Sequence, residues 1–365
     1  MELNLEQKIV LMTSRISDKA DNQELENHLK QNVCWEKLIK YAVRNKVIYL
    51  LYNNLVQNGL KAYIPKYYQT LLADSCNCNY IRNTEKLNEL TKIQSEMKGS
   101  YISFAPVKGS YLIDNVYRNR MIRTTNDIDI LIKRKDIKIV DEIMRNNGYE
   151  QGEYDPENNK VIVPDNTKKM LYKTKMYNLL PYIKINNDIP TKTVIFDISF
   201  SLDFSLDTSP ISEMLDCVVE KEKYVELQPE HFFIHMCCHH YREASNVAWF
   251  LIGKDLNLIK FCDVREFVIQ KMDRNSIDRA ISFAKQYSLE KAVYFTIYFV
   301  REIYKDGYET DILNSLNISD DKFLYEFGEK DYGELQIRKK DFWNSLFSDD
   351  NKDEIVDDPK YKNLI

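Results

Sequence analysis

Two aspartates one residue apart interrupt a stretch that otherwise favours a buried β-strand, IRTTNDIDIL at residues 122–131. Alternate side chains of a strand point to opposite faces, so Asp127 and Asp129 share one face while Ile128 and Ile130 share the other. Two carboxylates at ~4 Å repel each other by about 4 kcal/mol at an effective dielectric constant near 20. The pattern therefore favours a cation held between them, and magnesium fits best.

A later segment, VIFDISF at residues 194–200, repeats this division into an apolar and an acidic face. Its apolar residues alternate along the chain, which places Asp197 on the opposite face. We therefore expect Asp197 to converge with the two earlier carboxylates. Ligand sets made of oxygen suit magnesium, which takes its remaining ligands from water and from substrate phosphates. A nucleoside triphosphate is the substrate that this reasoning indicates.

The corner formed by Lys108, Gly109 and Ser110 follows the strand-like YISFAPV. Glycine lets a backbone approach phosphate closely, and the first amides of a helix form an anion site. We expect Ser110 to be the N-cap of a helix in SYLIDNVYRNR. Lys108 and Arg123 add positive charge, and Arg123 stands where a planar cation would reach the β- or γ-phosphate. An ordinary salt bridge explains either residue equally well.

Apolar periodicity divides the chain into four segments: an N-terminal helical region at 1–98, an α/β core at 99–210, a C-terminal helical domain at 211–347, and a charged tail at 348–365. In the core, strands and helices alternate, with strands in YISFAPV, DIDILI and KTVIFDISFSLDF and a polar stretch at 151–170. Pro106 predicts that the first strand lies at a sheet edge or contains a bulge.

Composition excludes some partners. The chain has 51 lysines and arginines against 56 aspartates and glutamates, and its net charge of -5 gives no overall attraction to nucleic acid or to an anionic membrane. It contains no apolar run near the roughly 18 residues of a membrane span, and its first residues lack the pattern of a secretory signal. We therefore predict a cytoplasmic protein without a membrane partner. The sequence does not indicate an oligomeric state.

Three histidines, His231, His235 and His239, stand four residues apart along a predicted helix. Two histidines at this spacing can chelate zinc, but three spread over two turns do not readily meet one ion. A helix that packs a polar groove explains the stripe better. A further hypothesis is that His239 or His240 faces the cleft and contacts phosphate or the acceptor.

These residues resemble a known family. The segment VKGSYLIDNVYRNRMIRTTNDIDILI, with its Lys-Gly, its Tyr before a turn and its Arg-x-x-x-Asp-x-Asp, is similar to the bacterial type-5 nucleotidyltransferases of the polymerase-β-like superfamily. The likeness covers roughly residues 30–270, including CWEKLIKYAVRNKVIYLLYNNL and LQPEHFFIHMCCHHY. One departure is that 16 residues separate Ser110 from Asp127, more than the superfamily usually has.

The resemblance implies an α+β fold, with a small mixed-sheet core flanked by N-terminal and C-terminal helical regions. It also implies transfer of a nucleotidyl group from a triphosphate, with release of pyrophosphate. Asp127 and Asp129 would bind two magnesium ions, Asp197 would complete the site, and Gly109 and Ser110 would hold the triphosphate. We take ATP as the donor because it is the most abundant triphosphate.

The acceptor would be a hydroxyl on a small molecule, a protein or an RNA. Asp197 is the first choice as the base and Asp263, in a C-terminal helix, the second. The triphosphate cleft is expected between the core and the C-terminal helices. Two alternatives stay open: a toxin-type enzyme that modifies tRNA or protein, and a non-catalytic nucleotide-binding module. Loss of Asp197 from the site would favour the second.

Overall fold

A computed structural model describes residues 3–16, 22–187, 192–203, 206–221, 224–328, 335–349 and 351. The chain divides into two compact units. One comprises Met1–Leu72 together with Phe233–Ile365, and the other, the α/β unit, comprises Ala73–Phe232. The predicted charged tail at 348–365 lies almost wholly outside the described residues.

The chain before the sheet is helical. Its elements are α1 (Leu5–Met12), α2 (Asn22–Leu29), α3 (Trp35–Arg44), α4 (Ile48–Gln57), a 3₁₀ turn at Lys61–Tyr63 and α5 (Lys66–Gly99). A reciprocal capping pair starts α1: the Asn4 side chain accepts a hydrogen bond from the backbone amide of Gln7, and the Gln7 side chain accepts one from that of Asn4. The long helix α5 carries the chain from the first unit into the α/β unit.

The α/β unit contains the strands of the core. In chain order its elements are β1 (Phe104–Val107), α6 (Gly109–Leu112), a π-helical turn at Ile113–Tyr117, β2 (Ile128–Ile132), a 3₁₀ turn at Arg134–Asp136, α7 (Ile137–Asn146), β3 (Glu150–Gln151), β4 (Glu153–Asp155), β5 (Lys160–Ile162), α8 (Asn166–Lys175), β6 (Tyr182–Ile185), β7 (Thr193–Ser199), α9 (Ser209–Asp216), β8 (Val219–Glu220) and β9 (Val225–Glu226).

Five of these strands form one sheet in the order β1-β2-β7-β6-β3. β2 and β7 run parallel, whereas the pairs β1–β2, β6–β7 and β3–β6 are antiparallel. This mixed sheet with helical flanks confirms the predicted α+β class. Pro106 lies in β1 at the end of the sheet, as its missing amide proton predicts.

The sequence did not predict two of the five strands. β3 has two residues and β6 has four, which is too short for alternation to stand out from a polar background. The segment taken for a polar stretch contains the β4–β5 hairpin and the first half of α8. Asn178, which follows α8, is another residue whose role the sequence does not reveal.

One face of the sheet is the hydrophobic core of the α/β unit. Ile128, Ile130 and Ile132 of β2 are each 0% exposed and pack in one cluster with side chains of β7, α5 and α7. Each such buried side chain stabilises the fold by roughly 1.5–3 kcal/mol. The alternation that buries the isoleucines turns Asp129 to the other face, toward the side that contacts α6.

The chain after the sheet is again mainly helical. Its elements are α10 (Pro229–Ser245), α11 (Val247–Leu251), α12 (Leu258–Lys271), α13 (Arg274–Gln286), α14 (Glu290–Tyr304), α15 (Tyr308–Leu316), a 3₁₀ turn at Lys322–Leu324, β10 (Glu326–Phe327), β11 (Gln336–Ile337) and α16 (Phe342–Phe347). Over the part of the chain that the structure describes, no helix has both the length and the apolar character needed to cross a membrane.

Arg265 in α12 is the centre of a buried ionic group. This group also contains Glu266 and Asp306, and we call the three residues the Arg265 cluster. The guanidinium is 0% exposed and donates to both carboxylate oxygens of Asp306, at 2.6 and 2.8 Å. It also donates to Glu266 at 2.7 Å, and the Ile16 amide donates to the same carboxylate at 3.0 Å. Burial acts to lower the pKa of Arg265, but these carboxylates raise it above its ordinary value.

Candidate functional site

Asp127, Asp129 and Asp197 come together on the side of the sheet opposite the isoleucine core, and we call them the acidic cluster. In the parallel pairing of β2 with β7, Asp129 stands directly opposite Asp197, so the two side chains project side by side. Asp127 directly precedes β2. One carboxylate oxygen from each residue lies within 4.8 Å of the others.

Ionisation of Asp129 carries an electrostatic cost in this group. The residue is only 3% exposed, and burial raises its pKa from an ordinary value of 3.8 to about 8. The ammonium of Lys108 opposes this rise, whereas the charges of Asp127 and Asp197 add to it. A divalent cation would relieve both the burial cost and the mutual repulsion. The ligand atoms are all carboxylate oxygens, so the donor set fits magnesium.

Lys108 lies between β1 and α6 and contacts the acidic cluster directly. Its Nζ is 2.6 Å from Oδ1 of Asp129. Its backbone φ of 53° with ψ of -136° lies in a sparsely populated region, which costs a non-glycine residue about 1–3 kcal/mol. The sharp turn places the ammonium beside the carboxylates. A contact between Lys108 and phosphate stays a prediction.

Ser110 is not the helix N-cap that the sequence predicted. α6 begins one residue earlier, at Gly109, so Ser110 lies inside the helix and Lys108 takes the cap position without a side-chain bond. The Ser110 hydroxyl is buried, donates to the carbonyl oxygen of Val107 at 2.6 Å and accepts from the amide of Asp129 at 3.3 Å. Its observed contacts therefore join the end of β1 to the aspartate strand.

The unusually long interval between Ser110 and Asp127 does not separate the two parts of the site. After α6 and the π-helical turn, residues 118–127 form a segment without strand or regular helix, which we call the pre-strand loop. The loop returns the chain to β2, where the Ser110 hydroxyl meets the Asp129 backbone. The extra residues are accommodated in the loop, away from this contact.

Gly109 allows the pre-strand loop to approach closely. A Cβ atom at this position would lie 2.6 Å from Oγ1 and 2.8 Å from Cβ of Thr125, both too close for a stable contact. Arg123 is 9% exposed and donates to the carbonyl oxygen of Thr124. The glycine is thus required by packing inside the protein, and roles of Gly109 and Arg123 in phosphate binding stay predictions.

Asn178 orients Asp197, a role that the sequence does not predict. Its Nδ2 donates to Oδ1 of Asp197 at 2.9 Å, and an isolated bridge pairs its backbone with Ser199 of β7. A neutral amide donor fixes a carboxylate without cancelling its charge. A single asparagine in a polar segment carries no pattern that would have revealed this role.

Lys86 is a second residue near the site that the sequence pattern does not predict. It is only 2% exposed, and its Nζ donates to the carbonyl oxygen of Thr125 at 2.5 Å. Burial lowers its pKa from 10.5 to about 8, against the opposing influence of Asp127. The signal that would have found it is its place on the buried face of α5, where an apolar side chain would be expected.

The histidine stripe lies on α10. The rings of His235 and His239 are nearly parallel with centroids 6.4 Å apart, and His231 and His235 are both buried. Nε2 of His239 is 3.4 Å from Oε1 of Glu243, and its Nδ1 is 3.1 Å from Nη2 of Arg242. Among the described residues, the acidic cluster alone assembles three potential metal ligands.

His240 belongs to the hydrophobic core and does not suit the alternative role considered for it. It is 1% exposed and packs against Phe261 and Phe295, with ring centroids 4.2 and 5.7 Å away. Burial lowers its pKa well below the ordinary value, so the ring is neutral. Asp263 is likewise buried in α12. A phosphate or acceptor contact by His239 stays a prediction.

Comparisons with known proteins agree with this geometry. A search of curated proteins finds no match to the chain. Residues 31–305 match a family described as uncharacterised nucleotidyltransferase, and this interval covers well over half of the 365 residues. The match includes the acidic cluster and the Gly109–Ser110 corner, and it confirms the resemblance noted from the sequence. The chain therefore belongs to this family of uncharacterised nucleotidyltransferases.

Proposed function

We propose that the protein transfers a nucleoside monophosphate from a nucleoside triphosphate, with ATP as the default donor, to a hydroxyl group of an acceptor, releasing pyrophosphate. The observation that carries this proposal is the convergence of three carboxylates within 4.8 Å on one face of a mixed sheet. Membership of the nucleotidyltransferase family supports it. The acceptor is a small molecule, a protein or an RNA.

The acidic cluster would hold the metal, with Asp127 and Asp129 as ligands of two magnesium ions and Asp197 completing the set. When bound, magnesium would neutralise the triphosphate and lower the pKa of the acceptor hydroxyl. The elevated pKa of Asp129 supports this assignment, because a carboxylate that is costly to ionise alone gains most from a cation.

The remaining steps belong to side chains of the protein. We assign to the Asp197 carboxylate, which Asn178 orients, the proton of the acceptor hydroxyl. The hydroxyl oxygen then bonds to the α-phosphorus as the bond to the bridging oxygen breaks, and pyrophosphate leaves with that electron pair. The Lys108 ammonium, already beside the acidic cluster, would stabilise the charge of the phosphates.

Loss of Asp197 from the site would have favoured the alternative, a non-catalytic nucleotide-binding module. Asp197 instead lies in the acidic cluster, opposite Asp129 in the strand register. A module that only binds nucleotide has no need of this third carboxylate. The geometry therefore supports catalysis over binding alone.

The test is incubation of the protein with each α-labelled nucleoside triphosphate, Mg²⁺ and cell extract. We expect a labelled product and pyrophosphate, both abolished by EDTA. The Asp127→Asn, Asp129→Asn double variant should lose at least about 10³-fold in rate, because several kcal/mol of charge stabilisation disappear.

Asp165→Asn is the matched control. It removes the charge of an exposed aspartate that caps α8, and asparagine caps a helix equally well. Its activity should equal that of the wild type. Undiminished transfer of label by the double variant would contradict the assigned site.

A further inference from the structure

The buried face of α5 has an unusual composition at its centre. Residues at alternating spacings of three and four along this helix are each at most 6% exposed, which defines the face turned to the protein interior. They are Cys76, Asn79, Asn83, Lys86, Leu90, Ile93 and Met97. Three consecutive positions of this series are polar where apolar side chains would be expected. We call Asn79, Asn83 and Lys86 the α5 stripe.

Every member of the α5 stripe donates hydrogen bonds to backbone carbonyls of the pre-strand loop. The bonds run from Asn79 Nδ2 to Met121 (2.9 Å), from Asn83 Nδ2 to Arg120 (2.7 Å) and to Arg123 (2.8 Å), and from Lys86 Nζ to Thr125 (2.5 Å). The two asparagines bind carbonyls of residues 120–123, and Lys86, farther along α5, binds the carbonyl of Thr125.

The opposite side of the loop is fixed by the start of α6. Thr125 lies against Gly109, where there is no space for a Cβ atom. The Thr125 hydroxyl also donates to the carbonyl oxygen of Asp127 at 2.9 Å. The loop is thus held between α5 and α6, and the last of these contacts reaches the first ligand of the acidic cluster.

The three aspartates depend on different parts of the structure for their positions. Asp129 and Asp197 lie in paired strands, so the register of the sheet places them. Asp127 precedes β2 and is the last residue of the pre-strand loop, so its position follows from the loop conformation. Buried polar side chains cost stability unless they are hydrogen-bonded, and apolar residues at the stripe would leave the loop carbonyls without those donors.

We propose that the α5 stripe positions the pre-strand loop so that Asp127 joins the other two aspartates in binding metal. Its members are positioning residues, which act through the loop and not on the substrate. A test by catalytic activity rests on the proposed function, whereas a test by amide hydrogen exchange does not.

Amide hydrogen exchange tests the structural part. In Asn83→Leu and in Lys86→Met, the amides of residues 118–127 should exchange at least about tenfold faster, while the strands keep their protection. Asn88→Leu and Lys92→Met, at exposed positions of the same helix, are the matched controls and should exchange like the wild type. Wild-type exchange in the loop of both test variants would overturn the proposal, as would an equal loss of protection in β2 and β7.

Binding of Mn²⁺ alone, followed by electron paramagnetic resonance, tests the link to the metal. Asn83→Leu changes no charge, so a change in affinity reports on geometry. We expect the apparent Kd for Mn²⁺ to rise about tenfold, a loss typical of residues that support metal ligands. Asn88→Leu should bind Mn²⁺ like the wild type. Equal affinity of Asn83→Leu and wild type would overturn the proposal.

A kinetic measurement separates positioning from general damage. The Mn²⁺ concentration for half-maximal transfer should rise about tenfold in Asn83→Leu, while the rate at saturating Mn²⁺ stays within about twofold of the wild type, because bound metal orders the loop. A lowered maximal rate with unchanged metal dependence would contradict the inference. If the wild type transfers no label, the proposed function fails, and hydrogen exchange still decides the role of the stripe.

Discussion

The Arg265 cluster and the acidic cluster are both buried groups of charges, but their surroundings affect the charged form of the central residue in opposite ways. Both contain a group whose pKa lies above its ordinary value. For the base Arg265, a raised pKa means that the surroundings stabilise the charged form. For the acid Asp129, it means that they destabilise it.

The difference follows from the hydrogen-bond partners. The planar guanidinium of Arg265 donates to two carboxylates at once, which repays the cost of burying it. In the acidic cluster, Lys108 bonds to one oxygen of Asp129 while two further carboxylates lie nearby. The first group stabilises the fold, whereas the second keeps an electrostatic cost that a metal ion would remove.

The largest expected effect comes from removing the cation of the Arg265 cluster. Arg265→Met should lower the free energy of unfolding by about 3–5 kcal/mol, because two carboxylates then lose their buried partner. Urea unfolding followed by circular dichroism measures this change. Arg274→Met, which breaks ion pairs of a side chain that is 65% exposed, is the control and should cost at most about 1 kcal/mol. Equal losses in both variants would break the contrast between the clusters.

Removing the cation of the acidic cluster should have a smaller effect, and one that metal reverses. In EDTA at pH 8, Lys108→Met should lower the free energy of unfolding by about 1.5–3 kcal/mol, the usual size of a hydrogen bond to a charged group. In saturating Mg²⁺ the loss should shrink, because the metal replaces the missing charge.

The control for Lys108→Met is Lys133→Met, which breaks an ion pair with an aspartate that is 63% exposed. Its effect should be at most about 1 kcal/mol and should not depend on Mg²⁺. A loss in Lys108→Met that stays the same with and without Mg²⁺ would assign Lys108 to packing alone.

Over a single pH unit, the smallest change in the free energy of unfolding should come from the titration of Asp129. Between pH 4 and pH 8 the folded protein keeps a proton on this carboxylate that the unfolded chain has released. Stability without divalent ions should therefore fall as the pH rises through this window, by at most about 1.4 kcal/mol per pH unit from this group. Asp129→Asn should have a flatter profile, which urea unfolding in EDTA measures. Parallel profiles of the variant and the wild type would contradict the assigned burial cost.

Much of the acidic cluster could be predicted from the sequence because strand periodicity is strict. A side chain that alternates with buried isoleucines must point away from them, so the faces of Asp129 and Asp197 followed from their neighbours alone. The pairing of β2 with β7 is a tertiary choice that periodicity does not fix. The expectation that Asp197 converges with the other two carboxylates left this pairing open.

The supporting residues could not be predicted because their types are ambiguous. Asn79, Asn83 and Lys86 are ordinary surface residues elsewhere in proteins, and only their place on the buried side of α5 gives them meaning. The prediction that Ser110 is the helix N-cap failed for a local reason. The positive-φ turn at Lys108 starts the helix one residue early, and such a backbone conformation has no sequence signal when the residue is not glycine.

The parallel pairing of Asp129 with Asp197 has a consequence for how this protein can be re-engineered. The ladder of backbone hydrogen bonds alone sets the spacing of these two carboxylates, although residues 133–192 separate the strands in the chain. Within this crossover, the β4–β5 hairpin and α8 bury no side chain, so they are the place to graft, trim or circularly permute. A single residue inserted within β7 would instead turn Asp197 into the hydrophobic core.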